Sequence, residues 1–113
     1  MGIRPGQPDR IRWVQGTPDL RGHTVPAHEL KGLNGHLDGL PLRGPTDRAY
    51  DVRLADQHMG IRYGFRDRPG ETAGDQFRAF RRNNDYVWHH YSRHEVTLVD
   101  GRLHRSIGHQ YYD

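Results

Sequence analysis

Four histidines crowd the last quarter of the chain: the adjacent pair His89 and His90, then His104 and His109. Imidazole is the commonest metal ligand and the side chain whose proton affinity lies nearest neutral pH. Such a cluster can hold a divalent cation and also supply a general base, which together suit hydrolysis. The chain has no cysteine, so disulfides and thiolate zinc sites are excluded and any metal site must use histidine and carboxylates.

The intervening residues show how these side chains would be positioned. Tyr86–Tyr91 is rich in β-formers and predicts a strand. On a regular strand Tyr86, Trp88 and His90 face one way and Val87, His89 and Tyr91 the other, so two adjacent histidines can take different tasks. Arg93 falls in a turn, His94–Val99 returns as a second strand, and Asp100 suits the N-cap of a helix beginning at Gly101. His104 and His109 are five residues apart, about 140° around an ideal helix. Gly108 can end that helix in a left-handed cap and swing His109 back toward His104. Trp88 reads as a buried buttress beside the site. Glu95 reads either as an acceptor that orients a histidine or as an ordinary surface carboxylate.

Trp88-His89-His90, then Leu98-Val99, then His104 and His109 resembles the HNH (ββα-metal) nucleases, and most closely their Trp-His-His branch of bacterial polymorphic toxins. The resemblance covers roughly residues 72–113. It implies an α+β fold whose centre is a hairpin-plus-helix finger at 86–109, and an endonuclease that cuts DNA. His89, His104 and His109 would hold a divalent ion (zinc, nickel or magnesium) and His90 would be the general base. It further implies the toxic C-terminal module of a bacterial competition system, with an immunity protein as partner. Such a protein acts in the cytoplasm of a target cell, delivered as cargo or within a larger secreted chain. A three-histidine site leaves a coordination position open for substrate, as catalytic zinc sites do.

Upstream, residues 1–48 hold most of the prolines and glycines and predict a loop-rich arm belonging to the same domain as 49–113. A short helix is possible near His28–Leu33, whereas His23, His28 and His36 read as surface residues. Tyr50, Val52 and Leu54 alternate with Asp51 and Arg53, and Ile61, Tyr63 and Phe65 alternate with Arg62 and Arg66. This pattern predicts an additional β-hairpin joined across Ala55–Gly60. Arg68-Pro69-Gly70 makes a turn. Thr72 and Asp75 form a capping box for a helix that ends at Asn83-Asn84. Phe77 and Phe80 would share a face that packs on the histidine hairpin. Arg78, Arg81 and Arg82 on that helix, with Arg105 further on, are the candidate grips on a nucleic-acid backbone.

At 113 residues the chain predicts one domain. Leu, Ile, Val and Phe make up roughly a fifth of it, close to the level at which chains stay unfolded, so the core must be small. Lys31 is the sole lysine among 17 basic side chains, the others being arginine, and the net charge is +3 with a pI near 9.6. Arginine forks onto phosphate in a bidentate way that lysine cannot, which fits a polyanionic partner. A GC-rich coding sequence would give the same bias. No apolar run is long enough for a signal peptide or a membrane span. Two other readings fit the residues: a non-catalytic arginine-rich binding module with a structural metal, and a ribonuclease that uses two histidines without metal.

Overall fold

The computed structural model describes residues 12–14, 17–19 and 21–107, with side chains from 22 to 105. His109 and Gly108 lie outside the described residues. Two short strands, β1 (Arg12–Val14) and β2 (Thr17–Asp19), pair antiparallel. The arm continues through 3-10 turns at Arg21–His23 and Ala27–Leu30, where a short helix near His28–Leu33 was expected, and ends that turn at Lys31 in the left-handed region. It then contributes β3 (His36–Leu37) to the main sheet.

The stretch expected to form the additional hairpin is instead a single helix, α1 (Arg48–Tyr63). Its start is fixed by the Asp47 carboxylate, which accepts the Tyr50 N–H, and its end by Gly64 at φ 106°. The apparent alternation misled because the inward face of this helix is Asp51, Ala55, Asp56, Met59 and Gly60. That spacing follows the 3.6-residue period. Two of its five members are carboxylates and one is glycine, so apolar periodicity does not reveal it.

Helix α2 (Ala73–Asn83) begins with the expected capping box: Thr72 Oγ1 accepts the Asp75 N–H and Asp75 accepts the Thr72 N–H, both at 3.0 Å. It packs on α1 through small residues. A Cβ at Gly60 would collide with the Ala73 carbonyl, and one at Gly74 would stand 2.9 Å from Gln57 Oε1. Phe77 and Phe80 reach the sheet as expected, with ring centroids 6.2 Å from Trp88 and Tyr86 respectively.

The sheet has three antiparallel strands in the order β3-β5-β4, with β4 at Tyr86–Ser92 and β5 at Glu95–Asp100. A bulge falls between His90 and Ser92. Helix α3 (Gly101–Ile107) follows β5 directly, and Asp100 accepts the Arg102 N–H at 2.7 Å, as its N-terminal position led one to expect. The described protein is therefore an α+β fold of three helices and a three-stranded antiparallel sheet, besides the β1–β2 pair. Arm residues Val25, Leu30, Leu37 and Leu40 share one core with Met59, Phe77, Trp88 and Leu98. No helix among the described residues is long and apolar enough to cross a membrane.

Candidate metal centre

Strand alternation divides the two adjacent histidines. His90 points with Trp88 toward α1, whereas His89 points toward α3. On the α3 side, the rings of His89 and His104 meet edge to face with centroids 5.2 Å apart. Both side chains are nearly closed to solvent, at 5% and 7% exposure. The hairpin thus turns straight into a helix whose first turn delivers His104 onto the strand that carries His89. The third expected ligand, His109, is outside the described residues. Among the described residues no three His, Asp or Glu side chains are already gathered closely enough to hold an ion.

On the α1 side, His90 is 2% exposed and its Nε2 lies 2.9 Å from Asp51 Oδ2. Asp51 is fully buried and also accepts the backbone N–H groups of Arg43 and Gly44 at 2.7 and 2.8 Å. Three donors on one carboxylate satisfy a charge that would otherwise be costly to bury. With Nε2–H directed at Asp51, neutral His90 carries its basic lone pair on Nδ1. No sequence signal marked Asp51, because in the alternation over residues 50–54 a carboxylate reads as the solvent face of a strand.

Trp88 is 1% exposed, and its indole N–H donates to Asp56 Oδ1 at 2.8 Å, in keeping with its expected place as a buttress. Asp56 also receives both arms of Arg81 at 2.9 Å. Arg81 is therefore no surface grip, contrary to the expectation from its place in the arginine run. It is 8% exposed and locks α2 to α1, because the helical period turns it inward with Phe77 rather than outward with Arg78. Arg48 reaches the Trp88 carbonyl at 3.3 Å, and burial, with Arg81 nearby, pushes its pKa down.

Arg78 and Arg82 are exposed and make no ion pair among the described residues, and the same holds for Arg53. Arg53 and Arg78 line a cleft of about 280 Å³ together with Tyr50 and Gln57. Arg105 is exposed but forks onto Asp85, at 3.2 and 2.8 Å, and holds that carboxyl below its usual range.

Glu95 does orient a histidine, although the partner is His36 of the arm: Glu95 Oε2 lies 2.8 Å from His36 Nε2. Glu95 Oε1 accepts the Ser92 hydroxyl at 2.7 Å. His36 is half-buried in β3, not a surface residue as its glycine-rich setting led one to expect, because the arm adds a strand beside β5. Comparison with known protein families, with characterised proteins and with solved structures finds no match to this chain.

Proposed function

We propose that this protein is a metal-dependent endonuclease hydrolysing phosphodiester bonds of DNA, built on a hairpin-plus-helix finger. The observation that carries the reading is the ring contact between His89 and His104, delivered by a strand and by the helix that follows the hairpin. Two imidazoles so placed suit a borderline divalent ion such as zinc or nickel, and His109 would complete the set. The ion, when bound, supplies a Lewis acid for a phosphate oxygen and for the leaving alkoxide.

The remaining work belongs to side chains. His90, the expected general base, is fixed by Asp51 on the α1 side of β4, across the sheet from the His89–His104 pair and with Nδ1 buried. It would therefore take a proton from water only after β4 and α1 part. Arg78 and Arg82, with Arg53 beside them, would hold the backbone of the substrate. In this reading the chain is the toxic module of a bacterial competition system, acts in the cytoplasm of the target cell, and is neutralised by an immunity protein.

The decisive experiment is cleavage of plasmid DNA by the chelator-stripped protein, with Mg²⁺, Mn²⁺, Ni²⁺ and Zn²⁺ added back singly. Restored nicking or linearisation supports the reading. Absence of cleavage with every ion overturns it, and cleavage that survives the chelator points to a metal-independent nuclease instead.

A further inference from the structure

We infer that His36, from the N-terminal arm, is an additional ligand of the same ion, donating through Nδ1 with Glu95 holding its other nitrogen. The inference rests on the metal reading of His89 and His104, and three observations support it.

The first is position. His36 pairs with Thr97 across β3 and β5, and Thr97 pairs with His89 across β5 and β4. Directly paired residues project from the same face of a sheet, so His36, Thr97 and His89 form one row on the face that α3 covers. The ring of His36 also meets that of Tyr91, two residues beyond His89 on β4, with centroids 5.9 Å apart.

The second is the state of the imidazole. Nδ1 of His36 is buried and has no hydrogen-bond partner among the described residues. A buried polar atom left without a partner destabilises a fold and calls for a reason. A ligand that arrives later is such a reason.

The third is the opposite nitrogen. Histidines that bind metals almost always donate their other ring N–H to a carboxylate, which fixes the tautomer and raises the basicity of the ligating atom. The 2.8 Å contact between His36 Nε2 and Glu95 is that arrangement, and the Ser92 hydroxyl steadies Glu95 in turn. Binding would draw His36 and the His89–His104 pair together across Thr97 and displace Thr24, whose hydroxyl lies 2.7 Å from that of Thr97, in keeping with the general coupling of metal binding to folding.

The test is Zn²⁺ affinity of the full chain, measured by competition with a chromophoric chelator, together with the visible spectrum of the Co²⁺ form. His36→Gln is expected to weaken Zn²⁺ binding by more than about 10-fold and to alter the Co²⁺ spectrum, and Glu95→Gln to weaken it by about 10- to 100-fold. His28→Gln, at an exposed arm position, should leave both unchanged. Nitrogen-15 NMR of the unsubstituted protein removes dependence on folding of the variants: Zn²⁺ should shift the His36 Nδ1 resonance. Unchanged affinity in His36→Gln, or an unshifted Nδ1 at Zn²⁺ saturation, overturns the inference while leaving His89 and His104 in place. A parent chain that takes up no Zn²⁺ overturns the inference and the metal reading alike. Zn²⁺ uptake without DNA cleavage, accompanied by the Nδ1 shift, would uphold the ligand and remove only the nuclease.

Discussion

His90 and Asp51 stand 2.9 Å apart, nitrogen to oxygen, with both side chains closed to solvent. The pair ties β4 to α1, and the two backbone N–H groups of Arg43 and Gly44 tie the same carboxylate to the segment before α1. One buried carboxylate therefore fixes a strand, a helix and a loop.

Asp51→Ala should accordingly cost about 3–5 kcal/mol of stability, since it strips the partner from the buried His90 imidazole and from two part-buried backbone N–H groups at once. Urea unfolding of the two proteins measures this. A loss within about 0.5 kcal/mol, the usual range for a surface substitution, would show that the contact is incidental.

His90→Gln retains a polar group near Asp51 while removing the base. DNA cleavage should fall by about 10²–10⁴, with Zn²⁺ affinity close to that of the parent. Turnover near the parental rate would remove His90 from the chemistry and leave it as a packing element.

Arg81 and its helix neighbours should separate cleanly. Arg78→Gln with Arg82→Gln, on a His90→Gln background that spares the DNA, should flatten the salt dependence of binding by about 1.8 units, as two phosphate contacts on duplex DNA contribute roughly 0.9 each. Arg81→Gln should leave the salt slope alone and cost about 3–5 kcal/mol, because it exposes Asp56 as an unpaired buried charge. Slopes identical in the double variant and its parent would move the contact surface elsewhere.

Acid should loosen α3. The Arg105 hydrogen bond depresses Asp85, and the Arg102 hydrogen bond depresses Asp100. A carboxylate whose folded pKa is lowered contributes stability above its unfolded value, near 3.8 for both groups, and loses it as pH falls further. Amide protection in α3 should therefore fall below about pH 3.8, and Asp85→Asn should remove part of it already above that pH. Protection of α3 that stays constant through that range would refute this.

Gly60→Ala should destabilise the protein by about 1–3 kcal/mol, because its new methyl meets the Ala73 carbonyl and α1 cannot retreat without opening the core. The thermal midpoint reads the effect, and an unchanged midpoint would mean that the two helices can slide apart freely.

Local chemistry was legible in the residue string. Thr72 and Asp75 announce the start of α2, Asp100 the start of α3, and the β-formers around Trp88 a strand, because caps and strand propensity depend on residues close in the chain. The same locality places His89 on the first strand of a hairpin and His104 on the helix that follows it. Long-range pairing was not legible. Asp51 looks like the outer face of a strand and Asp56 like part of a turn until His90, Trp88 and Arg81 arrive from β4 and α2 to satisfy them. That arrival reversed the reading of α1 from hairpin to helix and moved Arg81 from the surface to the interior. His36 looked like a loop residue until β3 joined β5, more than fifty residues away. Periodicity reports burial only when the inward residues are apolar. Where a fold buries carboxylates against distant donors, only the tertiary structure decides which face is inside.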